Sequence, residues 1–250
     1  MMNRKKLFVN LLFFVAFSSF GQEEKYIVGT DPTYPPFEFK NDNGEPSGFE
    51  VDVLKIIARE ENFTIEIQYL KRENWQEALT KGKVDIFLGA FTISPEIMAS
   101  AEMTLPIMQT QRVVYFLDTD NNQSLEMLTD LKGKTFTGNK GEGTTEQYAA
   151  QLSGNSQFYQ PADTIFLALK SVWKGEADAA IGDDLVFQYY GQKYPQIAYR
   201  FIPFPNSERY IGYALKKGNI SLKKKINNGL EKAQKQGEYQ QLVQNYFGKI

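Results

Sequence analysis

Lys81-Gly82-Lys83-Val84-Asp85-Ile86-Phe87-Leu88-Gly89 and Lys174-Gly175-Glu176-Ala177-Asp178-Ala179-Ala180-Ile181-Gly182 are two versions of one unit, 93 residues apart (81 to 174). Each follows an Ala-Leu pair, Ala78-Leu79 or Ala168-Leu169, in a segment of helical character. A Gly just past a helix stops it, a charged turn follows, and a short apolar run enters a second Gly as a strand. A chain that builds this helix-to-strand unit twice reads as two related α/β lobes on partly parallel sheets. The segments around the first copy agree. Residues 26–30 read as a first strand, 52–61 as a helix burying Val51, Leu54, Ile57 and Ala58, and 64–69 as an alternating strand. Residues 75–81 then read as a short helix and 84–88 as a strand buried on both faces.

Between the copies, residues 113–117 form an apolar strand followed by the polar stretch 118–123, which suits a crossover from one lobe to the other. Pro203 and Pro205 flag a return at 204–208, after which a strand at 211–215 and helices at 222–236 and 239–247 fall back on the first lobe. The expected organisation is therefore a first lobe of residues 22–112 and 208–250 and a second of 113–207. Two crossovers make a paired hinge, and a paired hinge makes closure a defined motion.

At 250 residues and 42% hydrophobic, the chain can bury two modest cores. The formal charge of −2 leaves no basic excess for phosphate backbone or anionic lipid, so no nucleic-acid partner is expected. Asn3-Arg4-Lys5-Lys6, an apolar run to Phe17, and small residues at Ser19 and Gly21 read as a signal peptide over residues 1–21, cleaved near Gly21-Gln22. With Cys at zero there is no disulfide, no thiol chemistry and no lipid-anchor Cys, and with His also at zero there is no imidazole base and no usual zinc site. A freely diffusing, monomeric exported protein without metal or cofactor is expected.

Four segments in order carry a resemblance. They are Thr30-Asp31-Pro32-Thr33-Tyr34-Pro35-Pro36-Phe37, Gly48-Phe49-Glu50-Val51-Asp52, Gly82-Lys83-Val84-Asp85, and Asp178-Ala179-Ala180-Ile181-Gly182-Asp183. At this spacing, behind an export signal, the mature chain resembles the family 3 periplasmic solute-binding proteins of ABC importers. The resemblance implies a two-lobed periplasmic-binding-protein-like fold of type II with two hinge crossovers and a ligand cleft between the lobes. It also implies a small polar solute, such as an amino acid or amine, a periplasmic location, and an inner-membrane ABC permease as partner.

The residues allow the same reading. Two prolines after Asp31 limit backbone freedom and present Tyr34 and Phe37 at low entropic cost; Phe37 is assigned mainly to the core and Tyr34 to the site. Gly89-Ala90-Phe91-Thr92 leaves the carboxyl end of a strand, where α/β sheets expose backbone groups to ligands. Lys140-Gly141-Glu142-Gly143-Thr144-Thr145 opens a helix whose free amides favour an anion. The resemblance implies that the positions of Asp31 and Tyr34 face the ligand, that Trp75 stacks on it, and that Gly89, Ala90 and Thr92 bind it. It gives Asp183 the role of gripping a ligand amine; Thr144 and Thr145 complete the expected set. Core packing is the alternative for Trp75, and a helix cap the alternative for Thr92.

One departure stands out. Family members that bind α-amino acids carry an Arg on the helix after the Thr92 position, and that place here holds Ile97. Either another cation takes the carboxylate, with Arg72 and Lys140 as candidate substitutes, or the ligand lacks a carboxylate there and the acidic cleft favours amines. Two other classes use the same scaffold. A cyclohexadienyl dehydratase-like enzyme would cast Glu142 or Asp31 as general acid, and a soluble ligand sensor would serve a receptor; simple binding is expected ahead of both.

Overall fold

The computed structural model describes residues 24–140 and 143–248; the expected signal segment and Gly141-Glu142 lie outside the described residues. The first lobe runs β1 (Glu24–Thr30), β2 (Thr33–Tyr34), β3 (Glu38–Lys40), β4 (Pro46–Ser47), α1 (Phe49–Glu60), β5 (Phe63–Tyr69), α2 (Trp75–Thr80), β6 (Ile86–Leu88), α3 (Pro95–Ser100) and β7 (Ala101–Met103). The long strand β8 (Met108–Leu117) leads out of it. The second lobe follows as β9 (Phe136–Asn139), α4 (Gly143–Ser153), β10 (Tyr159–Ala162), α5 (Ile165–Trp173), β11 (Ala179–Asp183) and α6 (Asp184–Lys193). A second long strand, β12 (Tyr199–Ile211), leads back to β13 (Ala214–Lys216), α7 (Ile220–Gln236) and α8 (Glu238–Phe247).

The repeated unit is real in three dimensions. The first sheet has the order β5-β1-β6-β13-β7 and the second β10-β9-β11-β8-β12. In both, the strand after the repeated Gly lies parallel to the lobe's opening strand, β6 on β1 and β11 on β9. The repeated Asp has one task in both copies. Asp85 Oδ2 accepts the Ile27 N–H at 2.8 Å, and Asp178 Oδ2 accepts the Thr135 N–H at 2.7 Å. Each carboxylate thus ties the turn before its strand to the neighbouring strand, which is why Gly-x-x-Asp recurs.

The crossovers are made by paired strands. β8 and β12 run antiparallel from Met108↔Ile211 to Leu117↔Tyr199, with an irregularity between Pro203 and Glu208. Residues 118–123, expected to carry the first crossover, instead sit at the far end of the second lobe, where Asp118 N–H donates to Ala198 O. A strand pair satisfies its backbone groups internally while passing between lobes, where a polar loop would rely on water. The strand expected at 211–215 is split, Ile211 closing β12 and Ala214 opening β13.

The loop after β1 is fixed by α1. Gly48 has φ of 127°, and α1 begins against the loop, with Phe49 N–H donating to Pro36 O at 2.8 Å and Glu50 N–H to Phe37 O at 3.0 Å. Phe37 is fully buried, packed on Phe247 at 5.8 Å between ring centres. A Cβ at Gly48 would collide with Phe37 O and lie 3.0 Å from Glu38 Cα, at a φ that side chains rarely adopt. Gly48→Ala is expected to destabilise the protein by about 2–4 kcal/mol. Urea denaturation measures it, and a change within about 0.5 kcal/mol would mean that the close approach is not tight.

Candidate ligand-binding site

A cavity of about 760 Å³ lies between the lobes. From the first lobe it is lined by Asp31, Tyr34, Arg72, Trp75, Gly89 and Ala90, and from the second by Lys140, Thr144 and Asp183. These come from the loop after β1, the start of α2, the end of β6, the end of β9, the start of α4 and the end of β11. Strand ends are where the ladder stops and side chains turn toward a cleft. Thr92 and Thr145 are outside the lining. Thr145 is fully buried under the first turn of α4, its methyl 2.6 Å from where a Cβ on Gly138 would stand.

Asp183 is at the centre of the cleft and 1% exposed. Tyr34 Oη donates to its Oδ2 at 2.9 Å, across the cleft from the first lobe. Arg209 Nη1 donates to its Oδ1 at 2.8 Å, and Arg112 Nε lies 3.6 Å from the same oxygen. Arg112 and Asp183 are register partners on antiparallel β8 and β11. Arg209 Nε also donates to Thr92 Oγ1 at 2.8 Å, so the hydroxyl expected to face ligand instead holds a guanidinium. The cap of α3 is Ser94 rather than Thr92. Asp184 opens α6 and accepts from Thr110 Oγ1 at 2.6 Å and Gln111 N–H at 3.2 Å, tying the helix to the outgoing hinge strand.

Sequence reading did not single out Arg112 or Arg209, since neither sits in a motif. A signal was available: the chain has six arginines, and three of them, Arg72, Arg112 and Arg209, line this cavity. Of the candidate substitute cations, Arg72 donates from Nε to Gly89 O at 3.1 Å and lies 4.8 Å over the Phe91 ring. Its backbone N–H donates to Asp31 Oδ2 at 3.0 Å. Lys140 is exposed and 3.7 Å from Asp163. Trp75 is half-buried, tilted on Phe91 at 5.0 Å, with part of its ring on the cavity wall.

The Gly89 and Ala90 amides are spoken for. Both N–H groups donate to Glu50 Oε2, at 3.1 and 3.0 Å, and Ala90 is held at φ of 47°. A non-glycine residue in that region costs roughly 1–2 kcal/mol, so the buried carboxylate beneath it fixes the floor of the cleft. The arginines bound to this segment, Arg72 on Gly89 O and Arg209 on Thr92 Oγ1, line the cavity beside it.

A family model described as bacterial extracellular solute-binding proteins, family 3, matches residues 26–249. The chain is 25% identical over 225 residues to an amino-acid-binding protein of Dichelobacter nodosus, covering 88% of this chain and 87% of that one. Among solved structures it is similar to an ancestral arginine-binding protein bound to arginine, with TM-score 0.74, 29% identity, and coverage of 90% of this chain and 99% of that one. It is also similar to an ancestral amino acid-binding protein described as a precursor of cyclohexadienyl dehydratase, with TM-score 0.73, 27% identity, and coverage of 89% and 95%.

At the floor, where Glu38 borders the cavity, Glu38 and Glu50 are 1% and 0% exposed, and Glu38 Oε2 and Glu50 Oε1 have no donor among the described residues. One shared proton satisfies both oxygens. Burial, then the Glu50 charge and hydrogen bond, raise Glu38 well above its ordinary 4.5. Burial also raises Glu50, against the bonds from Glu38, Ala90 and Gly89 that favour its charged form, so the pair holds a proton above the ordinary carboxylate range. The native state then holds a proton that the unfolded chain releases above pH 4.5. This contribution to stability is complete below that pH and is lost as pH rises through the raised value, at up to about 1.4 kcal/mol per pH unit. Glu38→Gln cannot lose this proton and should flatten the fall in melting temperature as pH rises above 4.5. Parallel slopes for the two proteins in that range would exclude the shared proton.

Proposed function

The chain belongs to the bacterial extracellular solute-binding proteins of family 3, and we propose that it captures an amino acid or a closely related small polar solute in the interlobe cleft for an inner-membrane ABC permease. The observation that carries this reading is a cavity of about 760 Å³ whose walls come from both lobes. That volume suits a small solute, and walls from two bodies allow it to be enclosed rather than merely touched. Tyr34 supplies a rigid amphipathic surface and Trp75 a second, at two side-chain torsions each. The solute meets one lobe first; the other closes about the paired strands β8 and β12, and the permease recognises the closed form. A monomer in the periplasm is the form proposed to do this.

Catalysis is the weaker reading. A dehydratase needs a general acid directed at its substrate. Asp183 is tied to Tyr34 and two arginines, and Glu38, whose raised proton affinity would suit an acid, is 1% exposed and shares its proton with Glu50. Glu142 lies outside the described residues.

A thermal-shift screen of the purified protein against amino acids, amines, sugars and small dicarboxylates tests the proposal. A solute at 100 times its Kd stabilises the folded state by about 2.7 kcal/mol, which for a chain of this size raises Tm by roughly 5–10 °C. Small-angle scattering with the best solute should show a smaller radius of gyration. Shifts from sugars alone, or an unchanged radius at saturation, would count against an amino-acid-capturing, closing cleft.

A further inference from the structure

Ile97, at the place where amino-acid-binding relatives are expected to carry their arginine, packs against the apolar cluster that contains Phe87, Phe91 and Met103. Helix α3 therefore sends no cation into the cleft. A guanidinium reaches Thr92 from another element. Arg209, on the returning hinge strand, donates from Nε to Thr92 Oγ1 and from Nη1 to Asp183 Oδ1, both at 2.8 Å. It lines the cavity at 22% exposure, and its Nη2 has no acceptor among the described residues. Two anchors on two sides fix the plane of the guanidinium, and the remaining donors are left for a group in the cavity.

Burial points the same way. Arg209 is 22% exposed, so an N–H edge that it turns to the cavity is weakly screened by water and favours an anion that accepts hydrogen bonds. The other candidate cations are less suited: Arg72 is exposed, and Lys140 is 71% exposed beside Asp163, so water screens both.

We propose that Arg209 is the carboxylate receptor of the cleft, its Nη2 edge taking the solute's carboxylate, while Asp183 serves as the countercharge that orients Arg209. The inference rests on the reading of the cleft as an amino-acid site and names the residue that sets its selectivity.

Calorimetry on the full chain with matched pairs decides it: L-arginine and agmatine, L-histidine and histamine, L-glutamine and 4-aminobutanamide. The carboxylate-bearing member of the pair that binds should bind on the order of 100-fold tighter than its decarboxylated partner. In Arg209→Gln that preference should fall to a few-fold, and Arg209→Lys, which keeps the charge and loses the fork, should lie between. Loss of carboxylate preference, rather than loss of binding alone, separates a receptor from a structural support. Should Arg209→Gln not fold, the wild-type pairs and the Lys variant still decide the question. Equal binding of both members by the wild type, or a preference that survives in Arg209→Gln and vanishes in Arg72→Gln, overturns the inference and leaves the binding site standing. Failure of every pair to bind overturns the inference, and the capture of a solute falls with it only if the thermal-shift screen also finds no ligand.

Discussion

A carboxylate at 1% exposure between two lobes has to be neutralised where it stands, and Asp183 is the charge around which this cleft is assembled. Its partners come from three separate stretches of chain: Tyr34 from the loop after β1, Arg112 from the outgoing hinge strand and Arg209 from the returning one. Stripping a buried ion of a partner costs about 3–5 kcal/mol, more than any single surface contact supplies. The positions of the loop, the hinge and the end of β11 are therefore set together. Arg209 extends the arrangement to Thr92, so the first lobe is bound into it twice.

Glu50 does the corresponding work one layer below. By taking the Gly89 and Ala90 amides on one oxygen and sharing a proton with Glu38 through the other, it holds the floor in a conformation the chain would otherwise avoid. The consequence for recognition is that main-chain donors at the end of β6 are used internally. Selectivity in this cleft moves from backbone to side chains, and the side chains standing over that floor are Arg72, on Gly89 O, and Arg209, on Thr92 Oγ1.

The fold was legible because its signals are local. The Gly-to-Asp turns repeat since each must stop a helix and tie down a strand within a few residues, and Gly48 before Phe49 is dictated by one close approach to Phe37. The nine cavity-lining residues named in advance lie at strand ends and helix starts, where sequence spacing translates directly into position. The rest was hidden because it depends on pairing across distance. Nothing around Arg209 says that it faces Asp183 from 26 residues away, because that follows from the order β11-β8-β12 and the irregularity after Pro203. The expected roles of Thr92 and of the Gly89 and Ala90 amides were likewise read one residue at a time, whereas each is occupied by a partner that the chain brings in from elsewhere.

An arginine on α3 would belong to one lobe, whereas Arg209 belongs to the hinge. Its first anchor, Thr92, is bridged to Ile211 at the end of β12, and its second, Asp183, is locked through Arg112 to β8. Both anchors thus sit close to the strands proposed as the hinge, where a turn of one lobe on the other would move them least. The Tyr34–Asp183 bond, by contrast, joins the walls themselves. A ligand shifts an equilibrium only through its differential affinity for the two states. A carboxylate received at the hinge would therefore contribute chiefly to affinity, and the drive toward closure would come from what the solute offers to Tyr34 and the opposing wall. In such a cleft the charged end of the solute decides whether it is held, and the remainder decides how completely the lobes close over it.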